Sequence, residues 1–162
     1  MNLVFNDSGE LESTINLALN KLQMPKRSTK GSAAYDFYSP FDFDLTPGYT
    51  ITIPTGIRAH MDSSTVLMLF PKSSMGVKHD IQLKNTVGII DSDYFFAKNE
   101  GHIILSFKNT HKRSIFPWLN KKHTWHVKTG DRICQGIFVN YGITVDDNTS
   151  GVRTGGYGST GR

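Results

Sequence analysis

Apolar and polar side chains alternate with period two in several stretches: Tyr49-Ile51-Ile53, Val66-Met68-Phe70, Ile103-Leu105-Phe107, Trp125-Val127, and the run from Ile133 to Phe138. Period two places alternate side chains on one face of a strand, so each stretch predicts a half-buried β-strand. The first two end at Pro54 and Pro71, and proline cannot donate to a sheet ladder. Turn-forming residues separate the strands: Pro47-Gly48, Asp62-Ser63-Ser64, Asn99-Glu100-Gly101 and Thr129-Gly130-Asp131. This rhythm predicts an all-β domain, built as a sandwich, barrel or jelly roll. Near the N-terminus, Leu11, Ile15, Leu19 and Leu22 have the spacing of a helix face, with Ser8 as a cap, while Ile15, Leu17 and Leu19 alternate like a strand. We read a strand over 15–22, preceded by an arm at 1–14. No repeat or linker divides the chain, which predicts one domain over 1–162. Glycines 151, 155, 156, 158 and 161 crowd the last dozen residues, and such density predicts a mobile C-terminal tail over 151–162.

The chain has 162 residues, enough to bury roughly 70% of its unfolded surface in one core. Its formal net charge of +4 admits nucleic acid or a small polyanion as partner. The basic residues come in short groups, Lys26-Arg27, Lys112-Arg113 and Lys121-Lys122, which read as solvated surface. The single cysteine, Cys134, excludes an intramolecular disulfide and a cysteine zinc cluster, and it fits a reducing, cytoplasmic setting. No apolar run approaches the roughly 20 residues of a membrane span, and the N-terminus lacks a basic-then-apolar leader pattern. Neither a membrane nor a nucleic-acid partner is expected. The six histidines form no His-Glu-x-x-His pattern, and no Gly-x-Ser-x-Gly elbow signals serine hydrolysis.

Three stretches carry candidate chemistry. In Gly88-Ile89-Ile90-Asp91-Ser92-Asp93-Tyr94 an apolar pair runs into carboxylates at i and i+2, which share a face if the strand continues. Such carboxylates can hold a hard cation or act as a base on water, though a strand end breaking into an acidic turn gives the same pattern. In Pro71-Lys72-Ser73-Ser74-Met75-Gly76 a cation, two hydroxyls and a glycine follow a strand. They suit phosphate oxygens, or equally a polar turn with Ser73 capping a short helix. In the tail, Arg153 offers a bidentate fork for phosphate and Tyr157 a flat face for a base, within a glycine frame that also suits a disordered terminus.

In order along the chain, these stretches resemble the five motifs of the trimeric dUTPase family. Ala34 to Tyr38 resembles the first, Pro71 to Gly76 the second, Asn85 to Tyr94 the third, Gly130 to Gln135 the fourth and Arg153 to Gly161 the fifth. The resemblance spans roughly residues 15 to 162 and is nearest to the Gram-positive bacterial and phage type. It implies a dUTPase-like jelly roll or distorted β-barrel, a homotrimer with sites at subunit interfaces, and Mg²⁺-dependent hydrolysis of dUTP to dUMP and pyrophosphate. By resemblance, Asp91 activates the attacking water and Asp36 holds metal-bound waters. Lys72, Ser73, Ser74, Gly76 and Gln135 meet the phosphates. Asn85, Gly88 and Ile90 read uracil, and Tyr94 packs on the deoxyribose. In the tail, Tyr157 covers the base while Arg153, Gly158, Ser159 and Thr160 close over the γ-phosphate as a lid.

The chain departs from the family pattern in places. Lys72 stands where arginine is usual, a point charge without a planar fork. The segment from Phe95 to Glu100 is longer than the common pattern, and the arm at 1–14 is extra. Two other readings remain open. A dCTP deaminase of the same fold needs a glutamate at the pyrimidine ring, for which Glu100 is the local candidate. A phage-type module can keep this fold and bind a regulatory protein.

Overall fold

The structure is a computed structural model, described over residues 22–153 and 155. Nine strands dominate it: β1 Tyr35–Tyr38, β2 Phe43–Leu45, β3 Thr50–Pro54, β4 Thr65–Phe70, β5 Ile81–Leu83, β6 Gly88–Ile90, β7 Ile104–Asn109, β8 Trp125–Val127 and β9 Arg132–Asn140. Helix α1, Ser73–His79, follows β4, and α2, Pro117–Lys122, precedes β8. A 3₁₀ turn at Ser92–Phe96 follows β6. All strand pairings are antiparallel. They give a four-stranded sheet ordered β1-β9-β4-β6, a three-stranded sheet β3-β7-β5 and a β2-β8 ribbon, with no closed barrel among the described residues.

The expected strands form where the alternation places them. Ile103, Leu105 and Phe107 are all buried, as are Trp125 and Val127. Strand β4 faces the core differently from the expectation. Leu67 and Leu69 fill the core, and Val66, Met68 and Phe70 lie half-buried on the other face. Both faces of Thr-Val-Leu-Met-Leu-Phe are apolar, so alternation does not choose between them. The core unites the sheets through Phe37, Ile53, Leu67, Leu69, Ile81, Phe107, Ile133 and Cys134. Burial pushes the Cys134 thiol up to about 12, which leaves it neutral.

The turns also follow the sequence. Gly48, Gly101 and Gly130 all adopt positive φ. At Gly101 a Cβ would stand 2.6 Å from Phe95 Cα, so glycine is required there twice over. The strand read over 15–22 lies outside the described residues except for Leu22, which is in no strand and packs against the core. The arm at 1–14 and the tail beyond Arg153, Gly155 apart, also lie outside the described residues.

Candidate functional site

Strand register brings three distant stretches to one end of the large sheet. Asp36 of β1 pairs with Gln135 of β9, which pairs with Phe70 of β4. Phe70 leads through Pro71 into Lys72, where the chain turns into α1. Lys72 occupies the cap position with extended backbone, and Ser73 is the first helical residue; no side-chain cap bond forms. The reading of Ser73 as a cap is therefore corrected by one residue: Lys72 holds the extended backbone of the cap and Ser73 is already helical.

Around Asp36 the side chains form a compact polar knot. Ser28 Oγ donates to Asp36 Oδ2 at 2.7 Å, Arg132 Nη1 to the same oxygen at 3.3 Å, and Lys72 Nζ to Oδ1 at 3.3 Å. Burial acts to raise the Asp36 acid. The bonds from Ser28 and Lys72, the Lys72 charge and the Arg132 bond outweigh it and hold the carboxyl below its ordinary value. Gln135 Nε2 donates to Pro71 O at 3.3 Å, which ties the fourth stretch to the second. Beside the knot lies a cleft of about 340 Å³ whose walls include Lys72, Ser74, Met75, Asp131 and Arg132. Ser73, Ser74 and Gly76 are exposed on α1, and a Cβ at Gly76 would meet nothing within 4 Å. Lys72 and Arg132 both face Asp36, and Asp131 is a second carboxylate on the cleft wall, so cations and carboxylates are matched at this end of the sheet.

The third stretch lies elsewhere. Asn85 is exposed in the β5–β6 turn, which Thr86 closes at positive φ. Gly88 is buried against Leu69, where a Cβ would press on the Leu69 side chain at 3.1 Å. Ile90 packs against the core. The strand ends at Ile90, so Asp91 and Asp93 are not alternate strand positions. Asp91 is the extended residue before the 3₁₀ turn, and Asp93 lies within it. Both carboxylates nevertheless meet one guanidinium: Arg153 Nε donates to Asp93 Oδ1 at 2.8 Å, and Arg153 Nη2 donates to Asp91 Oδ2. Tyr94 is buried at 6% exposure. Its hydroxyl donates to His102 O at 2.8 Å and accepts from Asn99 Nδ2, and the Arg153 guanidinium lies 5.7 Å from its ring centroid.

The two groups do not meet within one chain. Ile90 lies opposite Leu67, three residues from Phe70, and β6 is two strands from β9. At about 3.4 Å per residue and about 4.8 Å per strand, Ile90 and Gln135 are about 14 Å apart, with Asp91 farther still. Tyr157, Gly158, Ser159 and Thr160 lie outside the described residues. Sequence reasoning gave no role to Ser28 or Arg132. Arg132 was visible within the fourth stretch, at the start of the strand that pairs with Asp36; Ser28 carried no signal. Among the described residues no three His, Cys, Asp or Glu side chains gather as a metal cage.

A family model for dUTPase matches residues 20–161. A deoxyuridine 5'-triphosphate nucleotidohydrolase of Lactococcus lactis is 34% identical over 143 residues, which cover 86% of this chain and 89% of the relative. The crystal structure of a dUTPase from Streptococcus mutans superposes with a TM-score of 0.64 at 33% identity, covering 77% of this chain and 90% of that one. The dUTPase of Staphylococcus aureus phage phi11, described with a structural Mg(II) ion, superposes at 0.66 with 19% identity, over 83% and 94% of the two chains.

Proposed function

Since the chain belongs to the dUTPase family, whose reaction is the hydrolysis of dUTP to dUMP and pyrophosphate, we propose that it carries out this reaction at sites shared between the subunits of a homotrimer. One domain then supplies two half-sites to two different sites. The observation that carries this reading is the separation of Asp91 from the Asp36–Lys72–Gln135 end of the same sheet. The segment after β9 supports it. Ile143, Val145 and Val152 are exposed along it among the described residues. Apolar residues spread along an extended segment suit the surface of a neighbouring copy.

In the proposed site the end of the sheet that carries Lys72 and Arg132 receives the triphosphate. Lys72 supplies charge, Ser73 and Ser74 supply hydroxyl donors, and Gln135 directs its amide at the α-phosphate. Gly76 leaves open space for the nucleotide to approach closely. From another subunit, Asn85 and the backbone of Gly88 and Ile90 read uracil. Asp91 takes the proton of the water that attacks the α-phosphorus, in line with departing pyrophosphate. A sugar reaches the Tyr94 ring where Arg153 stands in the isolated chain. In the tail, Tyr157 stacks on the base, while Arg153, Gly158, Ser159 and Thr160 enclose the γ-phosphate and exclude water.

Mg²⁺ fits this arrangement as an ion carried by the phosphates. Mg²⁺ commonly keeps several of its waters and uses few protein ligands. Among the described residues Asp36 Oδ1 accepts a side-chain bond from Lys72 only, which leaves one lone pair for a metal-bound water. When bound, Mg²⁺ neutralises charge on the phosphate oxygens. The deaminase reading gains nothing here. Glu100 is exposed in a turn and lines a cavity with Gly56, Arg58 and His102, a lining that includes none of Asn85, Gly88 or Ile90.

Mixing subunits tests the shared site. Asp91→Asn and Lys72→Ala trimers, each impaired alone, are unfolded together and refolded as mixed trimers. If neighbouring chains complete each site, random mixing restores about one site in four. No gain over the separate variants would place both residues in one chain's site and overturn the reading.

A further inference from the structure

Residues 111–124 form a loop that the proposed reaction does not use. Its apolar side chains point outward: Ile115 is 89% exposed and Trp118 65%, with Phe116 and Leu119 beside them. Phe116 and Trp118 rings lie 4.8 Å apart, tilted by 32°. Lys112, Arg113, Lys121 and Lys122 flank this apolar tip, and no carboxylate occurs between positions 111 and 124. None of these residues belongs to the proposed nucleotide site.

The loop is held in shape from within. Buried Asn109 donates through Nδ2 to Leu45 O and His123 O, both at 2.9 Å, and accepts from His111 N at 3.1 Å. The His111 and His123 rings stack at 3.6 Å and close the base. Higher up, Asn120 donates to Ser114 O at 2.7 Å and accepts from Ser114 N at 2.8 Å. The exposed apolar groups therefore stand on a pre-ordered frame, and little conformational entropy remains to be lost on binding. Beside the tip is a cavity of about 460 Å³ lined by Tyr49, Arg113, Pro117, Asn120 and Lys121. The Arg113 guanidinium lies 5.1 Å from the Tyr49 ring centroid. Asp44 on its wall is engaged by His126 Nδ1 at 2.7 Å.

We infer that this loop is a docking surface for an acidic protein segment that carries apolar side chains. Aromatic residues and arginine on a lysine-rimmed patch match the composition of energetic centres in protein interfaces. The four cations select a partner of negative charge. A projecting tip beside a concave, cation-walled cavity favours a protein over a bilayer: carboxylate side chains enter the cavity, while a flat lipid surface meets only the tip. The same surface on a second copy is repelled, since both patches are positive.

The test uses the full-length protein and a dye-labelled amphipathic peptide of glutamate and leucine, read by fluorescence anisotropy. A lysine–leucine peptide, phosphatidylserine vesicles and a single-stranded oligonucleotide are the other arms. Saturable binding of the acidic peptide is expected, with a blue shift of Trp118 emission; Trp125 is already buried. Trp118→Ala, and separately the pair Lys121→Glu and Lys122→Glu, should each weaken binding about tenfold or more with dUTP turnover unchanged. Equal binding of the basic peptide, no binding of the acidic one, or binding confined to vesicles or the oligonucleotide overturns the inference. So does a fall in the oligomer mass of Trp118→Ala, which would make the patch a contact between copies.

Discussion

Replacing Lys72 by methionine removes one of the two cations on Asp36. The charged atoms are 3.3 Å apart, and the side chains are 19% and 10% exposed. At an effective dielectric constant near 20, such charges attract by about 5 kcal/mol. Desolvation of both ions offsets most of that. Arg132 and Ser28 remain on the other oxygen, so the carboxylate keeps partners. The net cost should be about 2 kcal/mol, below the roughly 3–5 kcal/mol for stripping a buried ion of its partner. Its pH dependence has a fixed sign. Although burial acts to raise it, Asp36 is held below 3.8 in the folded state by Ser28, Lys72 and Arg132. A depressed folded pKa gives stabilisation that is complete above the unfolded value and lost as pH falls through the folded one. The gap between wild type and Lys72→Met should be full from about pH 7 to pH 5 and shrink below about pH 4. Urea unfolding at one fixed protomer concentration measures it. Equal stability of the two proteins at neutral pH, or a gap independent of pH, would refute the reasoning.

Asp91→Asn should lower turnover by about 10²–10⁴-fold while dUTP still binds, as judged by steady-state kinetics and calorimetry; unchanged turnover removes Asp91 from the role of base. Gly101→Ala should cost about 2–3 kcal/mol in thermal or urea unfolding, because positive φ and a 2.6 Å approach to Phe95 Cα both oppose a side chain. Cys134, with its thiol pushed up to about 12 by burial, should resist iodoacetamide near pH 8 in the native protein and react in urea; rapid native alkylation contradicts the buried position.

Alternation revealed the strands because their polar positions face solvent, as in β7, where Leu105 and Phe107 turn inward, as does Ile103 just before it. The same rule failed to choose a face for β4, which is apolar on both sides. The site was legible as five separated motifs, and register then explained three of them: Asp36 and Gln135 lie across one sheet with Phe70, which leads directly into the second motif. Arg132 and Ser28 were not assigned, since their contact with Asp36 arises from pairing between distant segments and leaves no local pattern. The carboxylates of Asp91 and Asp93 admitted two readings, neighbours on one strand face or a strand end breaking into an acidic turn, and the strand does end at Ile90. They meet instead through the 3₁₀ turn, with Arg153 between them.

That shared arginine bears on catalysis. Arg153 Nη2 donates to Asp91 Oδ2, so the lone pair it occupies is not open to a water molecule in that geometry. On the proposed assignment Arg153 also grips the γ-phosphate, and one guanidinium cannot do both in one geometry. The triphosphate is the more highly charged partner, so its arrival draws Arg153 away from Asp91 and Asp93. The same displacement clears the face of Tyr94 on which the sugar is placed. Asp91 thus becomes available as a base when the ring beside it becomes available as a binding surface. In Asp91→Asn, Arg153 loses its bond to a charged oxygen and keeps only Asp93. Substrate then displaces a weaker contact, which is why affinity for dUTP should persist in a variant whose turnover collapses.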